Sequence, residues 1–199
     1  MTKSDAPSRV RDPDRKERIL VAAADLVARS GYHAVSMADI GAAAGITGSG
    51  IYRHFDGKSA VLVALFERVI DGLLRDEKRI VEQETTDLRV ALRKLIDGQI
   101  EFVVADRELA QVYFHEINNL PEVDRRRLRR KQRLYLEEWV HLVAELRTDL
   151  GDTEARVIVH AAIAAIQSTL QHDSNLPEPQ LRRLLASSAQ AVLGIGLGS

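Results

Sequence analysis

The chain has 199 residues, a formal net charge of −1, no cysteine, and aromatics at only 5%. That length allows one large domain, or a small domain fused to a larger one through a shared helix, with a real core in either case. The lack of thiols excludes disulfides, thiolate metal sites and cysteine nucleophiles, and a charge so close to zero is no argument for nucleic-acid binding.

Abundant alanine, leucine and arginine with few aromatics favour helices packed on aliphatic side chains, so an all-α fold is expected. Residues 1–11 are polar and aperiodic and read as a disordered tail. A first helix starts near Pro13, with Asp12 placed to cap it, and buries Ile19, Leu20, Ala23, Leu26 and Val27 before Gly31 stops it. Ser36 opens the second helix, and Asp39 three residues on completes a capping box. This helix carries Met37, Ile40, Ala43 and Ala44, and Gly45 supplies the sharp turn that follows. Thr47 can cap a third helix in which Ile51 and Phe55 share a face, while Gly48, Ser49, Tyr52 and Arg53 lie opposite. Asp56 and Gly57 break the chain before Lys58 opens a long fourth helix to about residue 80. Helical patterning continues over roughly 86–105, 107–118, 121–149, 153–172 and 178–193, separated by turn residues such as Pro121, Gly151 and Pro177. The apolar stretch 157–166 is interrupted by His160 and is too short to span a bilayer, and the first residues lack the apolar run of a secretory signal. No membrane association and a cytoplasmic location are therefore expected.

A short helix, a glycine turn and a second short helix with polar outer residues form a helix-turn-helix, here over 36–55, whose second helix enters the major groove of duplex DNA. Ile40, Ile46, Ile51 and Phe55 would hold the pair against the first helix. DNA-binding is expected from Ser36, Met37, Thr47, Gly48, Ser49, Tyr52, Arg53, His54 and Lys58. Arg53 suits the O6 and N7 edge of guanine or a phosphate, and Tyr52, His54 and Lys58 suit phosphate oxygens. Tyr52 packed on a neighbouring helix is the competing reading. Residues 1–60 hold nine Lys and Arg against seven acids, so placement rather than bulk charge carries the case. Arg9, Arg11, Arg15 and Arg18 read as a solvated flank or as an arm reaching the DNA backbone.

The string SMADIGAAAGITGSGIYRHFDGKSAVL resembles the DNA-binding signature of the TetR family over about residues 14–75, carried by Gly45, Ile46, Thr47, Ile51, Tyr52, His54, Phe55 and Lys58. Gly50 and Ser59 depart from the family's usual residues. The resemblance implies a DNA-binding domain at 12–75, a helical ligand-binding and dimerisation domain at 76–199, a homodimer on an operator of dyad symmetry, and repression released by a small-molecule effector. No cofactor and no catalytic residue is expected.

The dimer contact is expected through the last two helices, with Val157, Ala161, Ala164, Ala165 and Ser168 beside Leu181, Leu184, Leu185, Ala189 and Val192. The effector pocket is expected within 86–149, from Gln99, Val103, Tyr113, His115, Ile117, Asn118, Trp139 and Val143. These mostly aliphatic positions with sparse polar groups suit a lipophilic, fatty-acyl ligand, although the same residues would line an ordinary core. Arg125, Arg126, Arg127, Arg129, Arg130, Lys131 and Arg133 form either a phosphate-binding patch or a solvated face, the latter supported by the spacing of Glu122 to Arg126 and Arg133 to Glu137. His115, His141, His160 and His172 lack metal-ligand spacing, and glycines at 45, 48 and 50 do not follow a strand as a phosphate loop requires. Gly194, Gly196 and Gly198 read as a frayed end. A helical enzyme acting on a small apolar molecule is the alternative from another class, and a DNA-binding dimer without an effector is a third reading.

Overall fold

In the computed structural model, which describes residues 13–46, 48–84 and 87–196, every regular element among those residues is helical. The tail at 1–11 and the proposed cap Thr47 lie outside the described residues. Helix α1 (Pro13–Ser30) buries Ile19, Leu20, Ala23 and Val27, the face its 3,4 spacing predicts. Helix α2 (Met37–Ala43) starts on Ser36, whose hydroxyl accepts the Asp39 N–H at 3.2 Å while the Asp39 carboxylate accepts the Ser36 N–H at 2.9 Å. Helix α3 (Gly48–Ile51) is a single turn, and α4 (Lys58–Gln83) runs 26 residues from the α1–α3 unit into the body.

The larger part comprises α5 (Leu88–Val104), α6 (Arg107–Glu116), α7 (Glu122–Leu146), α8 (Asp152–Gln167) and α9 (Glu178–Leu193). Helix α5 begins two residues later than its periodicity suggests, because the Asp87 carboxylate accepts the N–H groups of Arg89 and Val90. Helix α8 ends at Gln167 rather than near 172, passing into a 3-10 turn at Ser168–Leu170. The described C-terminus is docked, not frayed, through Gly196. Ile195 is buried, the Arg147 guanidinium donates to the Leu193 carbonyl at 2.9 Å, and Arg89 donates to that of Gly196 at 3.3 Å.

One contiguous apolar core joins the two parts. Helix α4 contributes Val61, Leu62, Leu65, Phe66, Val69 and Ile70, and α1 seats on both α4 and α6. Ion pairs tie α4 to its neighbours: Arg68 meets Glu17 of α1, Glu67 meets Arg127 of α7 at 3.1 Å, and Asp71 meets Lys131 of α7 at 2.7 Å. Each exposed pair contributes at most about 1 kcal/mol, so their larger effect is to fix where the connector sits. Trp139 at the centre of α7 is fully buried, and truncating such a residue costs roughly 3–5 kcal/mol. Among the described residues no helix is long and apolar enough to cross a membrane.

Candidate nucleic-acid interface and internal cavities

Two glycines set the geometry of α2 and α3. Gly45 turns the chain at φ +66°, in the left-handed region where a side chain is strained. Gly41 faces that turn so closely that a Cβ would sit 3.2 Å from the Ile46 carbonyl oxygen. Ile40, Ile51 and Phe55 are buried against α1, with Lys16 of α1 over the Phe55 ring at 5.5 Å. After α3 the chain closes as a tight turn, with the N–H of Arg53 donating to the Gly50 carbonyl and that of His54 to the Ile51 carbonyl.

Ser49, Tyr52, Arg53 and His54 all stand exposed on the outer side of this unit, Tyr52 at 57%. They present hydroxyl, phenol, guanidinium and imidazole groups together, the mixture that bonds phosphates and base edges. Exposure to this degree disfavours the alternative in which Tyr52 packs on a neighbouring helix. Gly48 opens α3.

Three other candidates are engaged in holding the motif together. The Ser36 hydroxyl is committed to the α2 cap. Met37 is buried, so its side chain packs inward rather than outward. Lys58 is half-buried, and its ammonium donates to the carbonyls of Tyr32 at 2.7 Å and His33 at 3.4 Å while lying 4.4 Å from the centre of the Tyr32 ring. The sequence suggested a phosphate ligand here. In the structure Lys58 is a staple between the start of α4 and the α1–α2 turn.

The body holds an apolar chamber of about 310 Å³ walled by α4, α5, α7 and α8, with Tyr113 of α6. Of the sequence candidates, Gln99 and Tyr113 line it; Gln132, Tyr135, His160 and Gln167 line it too and were missed. A second chamber of about 290 Å³ lies toward α6 and takes Val103, Tyr113, Ile117 and Asn118. His115 instead lines a crevice between α6 and the end of α1, while Trp139 and Val143 are fully buried core residues. The Tyr135 hydroxyl donates to the Gln99 amide oxygen at 3.2 Å, and burial pushes the phenols of Tyr113 and Tyr135 above their ordinary range. Behind Tyr135, burial and the nearby Glu138 carboxylate push the Glu77 carboxyl up to about 9.

The arginine run is largely spent on ion pairs. Glu122 takes Arg125 and Arg126, Asp124 and Glu67 take Arg127, and Lys131 goes to Asp71. The expected Arg133–Glu137 pair is not formed, because Glu137 binds Arg156 of α8 at 2.6 and 2.8 Å. On α9, Leu184 and Val192 are exposed, but Leu185 and Ala189 are buried within the chain and are unavailable to a partner. Among the described residues no three His, Asp or Glu side chains converge as a metal site.

Residues 19–65 match the family described as bacterial regulatory proteins, tetR family, and residues 86–172 match the tetracyclin repressor-like C-terminal domain. The chain belongs to the TetR family, a family of regulators rather than enzymes, and the helical-enzyme alternative is set aside. It is 29% identical over 101 residues to the HTH-type transcriptional activator FasR of Mycolicibacterium smegmatis, covering 51% of this chain and 46% of that protein. It is 30% identical over 106 residues to the HTH-type transcriptional repressor KstR2 of Rhodococcus jostii, covering 53% and 52%. These matches thus span about half the length of the curated relatives. The structure of the fatty acid degradation regulator FadR from Bacillus halodurans superposes with a TM-score of 0.75 at 25% identity, covering 94% of this chain and 97% of that one.

Proposed function

We propose that the chain is a DNA-binding transcriptional repressor that acts as a homodimer on a palindromic operator and is released by a lipophilic, acyl-like effector. The observation that carries the reading is the exposed group Ser49, Tyr52, Arg53 and His54, held outward by Ile51 and Phe55 buried beneath. A palindromic operator offers two half-sites one helical turn apart, roughly 10 base pairs, and a two-fold dimer supplies one such unit to each. The face of α8 bearing Val157 and Ala161, beside Leu184 and Val192 of α9, is exposed apolar surface suited to that contact.

The chamber touches Ile70 and Leu73 of the connector α4, so a ligand filling it acts directly on the helix that carries Lys58 and the reader. To release DNA, the ligand must bind more tightly to the arrangement in which the reading helices no longer match the operator. The name of the Bacillus halodurans neighbour supports a fatty-acid connection. Repression is preferred to activation because a dimer occluding a promoter needs no surface beyond those described. The test is a gel shift on the DNA upstream of the gene, with and without long-chain compounds, together with a reporter in a deletion strain. Binding, ligand-dependent release and a rise in reporter expression on deletion are expected, and a fall in expression would assign an activator.

A further inference from the structure

We infer that the two chambers form one site for a long-chain compound ending in an anion, with Arg129 as the anion-holding residue. The inference rests on the effector reading above and adds the chemistry of the ligand's head. Phe102, Tyr113, Gln132 and Gln167 line both chambers, so the two spaces adjoin across a shared wall. The first chamber sets Ile70, Leu73, Leu136 and Ile163 beside the polar Gln99 and His160, and its apolar stretch suits a hydrocarbon tail. The second adds Asn118 and Arg129, the latter exposed at its mouth.

Charge assigns the head group. No Asp or Glu lines either chamber, whereas two other clefts beside α4 carry Asp25, Asp76, Glu101, Asp106 and Glu108 together with Arg68 and Arg75. Arg125, Arg126, Arg127 and Lys131 around Arg129 are neutralised by Glu122, Asp124, Glu67 and Asp71, and neither Arg130 nor Arg133 lines a chamber. Arg129 instead donates to a neutral group, the Asn118 amide oxygen at 3.0 Å. A guanidinium at a cavity wall with only a neutral partner retains its full charge for an incoming carboxylate or phosphate, which it can bind in bidentate fashion. The buried Tyr113 hydroxyl, beside Gln132 in the shared wall, offers a further polar contact at the junction of tail and head.

The experiment titrates the full chain with oleyl alcohol, oleate and oleoyl-coenzyme A, reading affinity by calorimetry and operator release by fluorescence anisotropy. At least one anion should bind about tenfold or more tightly than the alcohol. Arg129→Met should abolish that margin while leaving alcohol binding and thermal stability unchanged, and Arg129→Lys should restore part of it. An advantage confined to the thioester assigns the head site to phosphate, and one confined to oleate assigns it to carboxylate. Equal binding of alcohol and anions, or a margin that survives Arg129→Met, overturns the anion site but leaves the lipophilic effector standing. If none of the three binds while the protein still binds its operator, both readings fail.

Discussion

Lys58 holds two backbone carbonyls and a ring rather than waiting for a phosphate, and this changes what its removal should do. Lys58→Met should lower the melting temperature and weaken operator binding by loosening the α1–α2 turn. The slope of log affinity against log salt should stay as it is, whereas loss of a phosphate contact would reduce it by about 0.9. Anisotropy titrations at four or five salt concentrations separate the two. Glu77 poses a second question at this scale. Its carboxyl is buried beside Tyr135 and Glu138 and is raised from 4.5 to about 9. Between those values the folded chain holds a proton that the unfolded chain has released. Stability tied to this group is therefore fully present below pH 4.5 and is lost as pH rises toward 9. Glu77→Gln, which mimics the protonated acid, should match the wild type at acid pH and exceed it increasingly toward pH 9. Melting curves across pH 5–9 check this, and parallel profiles would place the proton elsewhere.

Among elements, α3, the helix proposed to read DNA, stands out for its brevity. Helix α3 has four residues, two of them glycine, and closes through i to i−3 hydrogen bonds. A helix so short gains little from its own ladder and depends on Ile51 and Phe55 for its position. Gly50→Ala should raise thermal stability by up to about 1 kcal/mol, because alanine restricts the unfolded chain and favours the turn. Scanning calorimetry decides it, and an unchanged or lower midpoint would show that the turn does not need the help. The start of α2 was legible because its chemistry is local, Ser36 and Asp39 bonding each other across three residues, whereas the equally local Asp87 cap goes unread and the periodicity starts α5 two residues early. Residue roles fixed by distant partners were not legible. Nothing near Lys58 in the chain announces carbonyls 25 and 26 residues earlier. Likewise, Gln132, His160 and Gln167 became chamber walls only because α7 and α8 pack side by side.

For the molecule as a whole, the dimer is the testable assembly. Val157 is 63% exposed, and Ala161 lies on the same face of α8 one turn on. Ala161→Glu places a charge on that face without touching the chain's own core, and should yield a monomer that has lost operator affinity while keeping its melting transition. Sedimentation velocity reads the mass, and a variant that remains dimeric would move the interface elsewhere. The periodicity of the last two helices marked them as doubly apolar. It did not say which side each would turn inward, so Leu185 and Ala189 were assigned to the wrong face.

The seat of α1 on both α4 and α6 has a consequence for motion. A rigid body resting on one rod can roll about it, but a body resting on two separate rods can only be carried along with them. The reader is such a body, pinned to the first rod by Arg68 and Glu17 and lying on the second beside Gln111, Val112 and His115. In the proposed dimer, a displacement arriving from the body would then carry Tyr52, Arg53 and His54 as a set, changing how far apart two readers stand while each keeps the same side turned toward its groove.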